Sequence, residues 1–252
     1  EGGEVSGTVD ELIRHSVSKM SHIHYVANRE AKKRLIQMGE LAQSIKVIGS
    51  PDIDIMFSDD LPVIEEVKRY YEIPFKNYAV VMFHPVTTEY EQMETHASNF
   101  VNSLLKDDKN YVVIYPNNDL GSEKILNQYK LFEDNSRFRV FPSIRFEYFL
   151  TLLKNSDFII GNSSAGIREA PYYGIPTINI GTRQENRSLH SHIINVSYNE
   201  AEITKAINSE FLPIEKDKRS YGKGESSELF IDSLIEGSIW KLDNQKQFVD
   251  IS

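Results

Sequence analysis

The sequence predicts an α/β protein: a Rossmann-like parallel sheet with helices on both faces. Three observations carry that expectation. Apolar runs of strand length alternate with stretches of helical periodicity, the pattern that builds parallel sheets rather than hairpins. The central runs, such as "YAVVMF" and "YVVI", are almost continuously apolar, as strands buried on both faces require. Each run then ends in a short polar turn, at the place where ligands of such sheets bind.

The elements follow in order. "VDELIRHSVSKMSH" spaces Leu12, Ile13, Val17 and Met20 as a helix does, and Thr8 with Glu11 has the form of a capping box. "IHYVAN" reads as a strand, "REAKKRLIQMGEL" as a helix and "IKVIGSP" as a second strand closed by Gly and Pro. After Pro51 a more polar stretch punctuated by Pro62 and Pro74 reads as a connector with helical pieces. A second run begins with the strand "NYAVVMFHPV" and a helix over 91–105. It continues through "YVVIYPN", "SEKILNQYKLF", "FRVFPS", "FEYFLTLLKNS", "DFIIGNSS", "REAPYYG" and "IPTINIG" in strand and helix alternation.

Composition narrows the function. The 252 residues are 40% hydrophobic, enough for one large core or two modest ones. Lys plus Arg number 28 against 37 Asp plus Glu, a net charge of -9, and the short basic runs lie among acidic residues. A nucleic-acid partner is therefore not expected. No apolar run approaches the roughly 20 residues of a membrane span, and nothing at the start has the form of a signal peptide. With no cysteine there is no disulfide or thiolate chemistry, which fits a cytoplasmic protein. The opening "EGGEV" has no initiating Met and leads straight into a helical pattern, as though a strand and turn had been cut through. The expectation is a chain lacking its beginning.

The tails "FHPVTTE", "YPNND", "FPSIR", "IIGNSSAG" and "NIGTRQ" converge on one edge of the predicted sheet. In "FIIGNSSAGIREAP" a strand, a small-residue turn and a helix start follow one another, so the amides near Ser163, Ser164 and Gly166 are placed to meet an anion. Glu169 stands in the first turns of that helix, where an acidic residue accepts ribose hydroxyls. The same residues also serve as plain caps and turns, Asn162 and Ser163 among them. Neither a dinucleotide fingerprint nor a P-loop is present, and the seven histidines form no metal-ligand spacing with carboxylates.

The segment "GNSSAGIREAPYYGIPTINIGTRQENR" closely resembles the signature of the hydrolysing uridine-diphosphate (UDP) N-acetylglucosamine 2-epimerases. "FHPVTTE", "YPNNDLGS", "EGGEVSGTVDELIRHSVSKMSHIHYVAN" and "VIGSPDID" resemble other segments of that family in the same order, over nearly the whole chain. Non-hydrolysing relatives carry His-Arg-Arg-Glu where this chain has His84-Pro85-Val86-Thr87, and Asp-Ser-Gly-Gly where it has Asn162-Ser163-Ser164-Ala165.

The resemblance implies a glycosyltransferase-B-like fold of two Rossmann-like domains. Residues 1–51 would be the remainder of the N-terminal catalytic domain, 52–225 the UDP-binding domain, and 226–252 a helix crossing back. It implies that Ser163 and Ser164 hold the diphosphate, Glu169 the ribose and Arg183 the phosphates, whose oxygens suit a guanidinium fork. Asn117 and Ile144 match positions around the uracil. His84 matches a histidine facing the diphosphate, as a neutral donor or as an imidazolium that eases departure of the leaving group. Glu1 and Asp10 match the carboxylates of proton transfer, and His15 is a second-rank candidate for the sugar cleft.

The implied reaction converts UDP-N-acetylglucosamine and water to N-acetylmannosamine and UDP for acidic-sugar synthesis, without cofactor or metal. Close relatives act on a bacillosamine derivative, and a glycosyltransferase or a nucleotide-binding module without catalysis are the alternatives. Lys223 in "YGKGESS" stands where relatives often carry an acid. Self-association is left open.

Overall fold

A computed structural model describes residues 2–5, 10–184, 193–211 and 220–250. The chain gathers into two compact units, Glu1–Asp60 with Lys218–Ser252, and Leu61–Asp217.

The first unit begins with α1 (Asp10–Met20), β1 (His24–Val26), α2 (Arg29–Gln37), β2 (Ile45–Val47) and α3 (Pro51–Met56). The Asn28 side chain caps α2 by accepting from the Ala31 N–H at 2.9 Å. That helix buries Ala31 and Leu35 against Val26 and Ile45 of the parallel β1–β2 pair. The apolar residues that mark α1 in the sequence, Leu12, Ile13, Val17 and Met20, are all exposed.

The second unit starts with α4 (Ile64–Tyr70), β3 (Ala79–Met82), α5 (Met93–Lys106), β4 (Tyr111–Ile114), α6 (Ser122–Tyr129) and β5 (Phe138–Phe141). It continues with α7 (Phe146–Lys154), β6 (Ile159–Gly161), α8 (Ala165–Arg168), α9 (Ala170–Tyr173), β7 (Thr177–Ile180), β8 (Ile193–Val196) and α10 (Glu200–Ile207). The six strands pair in the order β5-β4-β3-β6-β7-β8, every pair parallel. Counted from β3, this is the 3-2-1-4-5-6 order of a doubly wound sheet.

Strand alternation sends Ala79, Val81, Phe83, Tyr111 and Val113 into a core with α5, α6 and α10. Val80 and Val112 point the other way and are equally buried. On that face the Tyr78 hydroxyl donates to the Leu152 carbonyl of α7 at 2.8 Å. Both faces are thus covered, as the apolar strands require.

Three local features depart from the sequence reading. The stretch "REAPYYG" is broken at Glu169 into α8 and α9, because Pro171 has no N–H to carry the helix ladder through. The strand "IINV" and the helix "EAEITKAI" extend the sheet where no element was expected. The helix expected over 91–105 starts at Met93, after a 3-10 turn over Thr87–Gln92.

Asp54 in α3 joins distant parts of the first unit. It accepts from the N–H groups of Ser226 and Ser227 at 2.9 Å each and from both hydroxyls, tying α3 to the start of α11 (Ser226–Glu236). Further along, α11 packs on β1 and β2. Phe230 meets Tyr25 edge-on at 4.8 Å, Ser233 shares a 2.9 Å hydrogen bond with Tyr25, and Glu236 pairs with Lys46. Lys223, the departure from the expected acidic residue, is exposed on the loop before α11. Among the described residues no helix is long and apolar enough to cross a membrane.

Candidate functional site

The sheet order reverses between β3 and β6, and a crevice opens there beyond the carboxyl ends of the strands. His84 follows β3, Asn117 follows β4, Ile144 follows β5, Asn162 to Ser164 follow β6 and Arg183 follows β7. The parallel sheet therefore brings all five predicted tails to one edge. Gly161 permits the close approach of β6 to β3: its φ is 138°, and a Cβ there would lie 2.0 Å from the Met82 carbonyl oxygen.

The hub of this edge is Asn162, which is fully buried. Its Oδ1 accepts from the His84 N–H at 2.6 Å and its Nδ2 donates to the His84 carbonyl at 2.8 Å. Its own carbonyl accepts from Gln184 Nε2 at 2.8 Å and from Arg183 Nη1 at 3.2 Å. One side chain and one carbonyl thus join the ends of β3, β6 and β7. Asn162 is a clamp and not the helix cap that its position before "SSAG" suggests.

His84 is oriented from a second side. Its Nδ1 accepts from the Asn117 N–H at 3.0 Å, which places the proton on Nε2. Burial, and then the positive charge of Arg183, push its pKa down to about 3. The imidazole is therefore a neutral Nε2–H donor at physiological pH. Of the two alternatives for this histidine, desolvation and the neighbouring guanidinium favour the neutral donor in the ligand-free protein.

The β6 turn uses some of its donors internally. Ser163 Oγ accepts from the Ala165 N–H at 3.3 Å, and the Ser163 carbonyl accepts from the Gly166 N–H at 3.3 Å. The Gly166 amide, expected to face an anion, is consumed inside the turn. The N–H groups of Ser163 and Ser164 and the Ser164 hydroxyl carry no hydrogen bond among the described residues. Glu169 is buried at the break between α8 and α9. Burial, and then the charge of Glu169, push the pKa of the Tyr173 phenol up and keep it protonated.

At the other side of the crevice, Asn117 is half-buried and its Nδ2 donates to Asp119, while its Oδ1 is buried without a hydrogen-bond partner among the described residues. Ile144 is half-buried, and the following Arg145 N–H donates to the Tyr71 hydroxyl at 3.1 Å.

The carboxylates expected for proton transfer are not in the Leu61–Asp217 unit. Asp10 is exposed in the first turn of α1, in the first unit, and Glu1 lies outside the described residues, as do Thr8, His190 and His192. His15 Nε2 lies 3.5 Å from Glu11 one turn away. Among the described residues no cluster of three or more His, Asp or Glu side chains is arranged to hold a metal ion.

Two residues have roles here that the sequence does not announce: Asn162, which reads there as a cap and acts as the clamp, and its partner Gln184. The only signal they leave there is an amide immediately after a buried strand and another after the arginine of the next tail.

A doubly wound sheet that gathers a neutral histidine donor, two serines and an arginine beyond the carboxyl ends of its strands defines a Rossmann-like α/β protein with its donors at the edge where such sheets bind ligands. The family model described as UDP-N-acetylglucosamine 2-epimerase matches residues 1–235, and the chain belongs to that family. It is 48% identical to the UDP-N-acetylglucosamine 2-epimerase of Neisseria meningitidis serogroup B, a match that covers all of this chain and 68% of that protein. It is 32% identical to the UDP-N,N'-diacetylbacillosamine 2-epimerase (hydrolyzing) of Legionella pneumophila, covering 90% of this chain and 61% of the relative. Among solved structures, the Methanocaldococcus jannaschii UDP-GlcNAc 2-epimerase in complex with UDP-GlcNAc and UDP shares the fold. It matches with a TM-score of 0.75 at 20% identity, over 94% of this chain and 68% of that one.

Proposed function

We propose that the Leu61–Asp217 unit holds the UDP moiety of a UDP-N-acetylhexosamine and that the whole protein is a hydrolysing 2-epimerase. The observation that supports this most is the Asn162 clamp, which sets the neutral His84 donor, Arg183 and the unused Ser163 and Ser164 donors around one crevice. Such preorganised donors suit a diphosphate both as ligand and as leaving group. Glu169 takes the ribose hydroxyls, and Asn117 and Ile144 flank the uracil.

In the proposed reaction a carboxylate removes the C2 proton of the sugar. The C1–O bond breaks, its electron pair leaves with UDP, and a C1–C2 double bond remains in a 2-acetamidoglucal. Water then adds its hydroxyl to C1 while a proton returns to C2 from the opposite face, giving N-acetylmannosamine. Asp10 and Glu1 are the proposed proton-transfer pair. Arg183 offsets the charge that grows on the departing phosphate oxygen and the neutral His84 Nε2–H hydrogen-bonds to it, so no step needs a metal or a redox cofactor. The hydrolysing course is favoured by the Asn162-Ser163-Ser164 turn and by the Legionella relative, itself a hydrolysing 2-epimerase. That relative also motivates a second reading, the same chemistry on UDP-N,N'-diacetylbacillosamine.

The test is a proton NMR time course of the full-length protein with UDP-N-acetylglucosamine in heavy water, without acceptor sugar. Free N-acetylmannosamine carrying deuterium at C2 is the expected product. UDP-N-acetylmannosamine as sole product would sink the hydrolytic course. Turnover of the bacillosamine nucleotide alone would move the assignment to the second reading, and turnover only with an acceptor sugar would make the protein a glycosyltransferase.

A further inference from the structure

Thr182 immediately precedes Arg183, and its hydroxyl donates to Glu89 Oε1 at 2.5 Å. Glu89 belongs to the loop after β3, whereas Thr182 follows β7, and β6 lies between those strands. The hydrogen bond therefore reaches past the β6 turn that carries Asn162, Ser163 and Ser164. Glu89 is itself held in place: its N–H donates to the Val86 carbonyl at 2.9 Å, at a kink with φ −115° and ψ 23°.

A stacked pair backs the same loop. The His96 ring of α5 lies flat on Tyr198, with centroids 3.7 Å apart and planes within 4°. Tyr198 in turn fills the space over Gly181, where an added Cβ would meet its ring at 2.1 Å. Asn99 of α5 fixes Tyr198 by donating to its carbonyl at 3.1 Å, and His96 Nδ1 lies 3.7 Å from Glu89 Oε2. Residues 181–183 are thus packed against an aromatic pair and hydrogen-bonded to a carboxylate that the same pair adjoins.

We propose that Glu89 and Thr182 form a latch that positions Arg183 for the diphosphate. They act as positioning residues: Asn162 receives the guanidinium of Arg183, while the latch fixes the backbone from which that side chain extends. The proposal rests on the reading that the crevice binds UDP.

The test is calorimetric UDP binding by the full-length protein in a double-mutant cycle. Thr182→Val removes the donor at nearly constant shape and is expected to weaken UDP about tenfold. Thr182→Ser restores the hydroxyl and is expected within about twofold of the unaltered protein. Glu89→Gln keeps a neutral acceptor and is expected to lose only about threefold, which provides a second variant if Thr182→Val melts early. In an Arg183→Ala background Thr182→Val is expected to cost less than about twofold more, because the latch acts through Arg183. Unchanged affinity in Thr182→Val, or the same loss with and without Arg183, overturns the latch. Failure of the unaltered protein to bind UDP overturns the nucleotide reading instead.

Discussion

Two buried polar centres, one in each unit, are built in opposite ways. In the first unit Glu40, with its side chain 1% exposed, meets Lys246 at 2.6 Å, Lys19 at 2.7 Å and His24 at 2.9 Å. Burial pushes the Glu40 carboxyl up, but bonds from Lys19, Lys246 and His24 outweigh it and hold the group below its usual range. Burial lowers His24 more than Glu40 raises it, so a neutral imidazole donates to an ionised carboxylate. In the second unit Asn162 is engaged in the same thorough way, yet two residues further on Ser164 keeps a hydroxyl and an N–H without a partner among the described residues. A saturated centre rigidifies its surroundings. Saturation placed beside unused donors is what a preorganised ligand site needs.

Removing the saturated centre of the first unit is the harshest test of that contrast. Glu40→Ala leaves Lys246 and Lys19 without their anion. The expected loss is about 3 kcal/mol, the low end for a broken buried pair because both lysines can turn to water. Urea unfolding measures it, and UDP affinity is expected within about twofold of the unaltered protein. A collapse of UDP binding along with stability would show that the first-unit centre is not merely scaffold.

Asn162→Ala comes next. It strands the buried N–H and carbonyl of His84 and is expected to cost roughly 2–3 kcal/mol. Here UDP binding falls as well, by at least about tenfold, since His84 and Arg183 lose their common anchor. A variant that unfolds earlier but binds UDP normally would reduce the clamp to a packing element.

The contrast also separates what a sequence displays from what it conceals. The tails at His84, Asn117, Ser163 and Arg183 stand out because polar residues directly follow apolar runs, and a parallel sheet must then bring those ends together. The clamp and the latch do not stand out. Asn162 looks like a cap because a side chain bonded to a distant backbone leaves no local pattern, and Glu89 meets Thr182 only once the strand order is known. "IINV" is a short apolar run within a polar stretch and leaves little trace, and a continuous helix over "REAPYYG" fails on the donor that Pro171 lacks. The reach of Asp54 to Ser226, across 172 residues, could not be read from spacing.

Acidification sharpens the picture of the crevice. His84 titrates at an ordinary 6.5 in the unfolded chain and near 3 in the folded protein. Between those values the unfolded chain binds the extra proton, so this contribution is full above pH 6.5 and is lost as pH falls toward 3. From pH 7 to 5 it amounts to up to roughly 2 kcal/mol. His84→Asn, whose amide can still accept from the Asn117 N–H, is expected to lose that much less stability over the same interval in urea titrations. His24 and His96, also lowered chiefly by burial, are present in both proteins and cancel in the difference. Equal losses in the two proteins would mean that His84 is solvated and free to protonate.

The smallest effect is expected at Asn117. Its backbone N–H orients His84, and an Asn117→Ala variant keeps that bond. Its side-chain Oδ1 is buried without a partner, so removing it relieves a cost while the bond to Asp119 is forfeited. The two nearly cancel, and the change in stability is expected within about 0.5 kcal/mol. UDP affinity is nevertheless expected to fall about threefold to tenfold, because an acceptor kept unsatisfied in the free protein gains a donor from the uracil edge. That combination, stability kept and affinity lost, is the opposite of what Glu40→Ala predicts. Stability lost with affinity kept at Asn117 would place its amide on the scaffold side and remove the uracil contact from the proposed site.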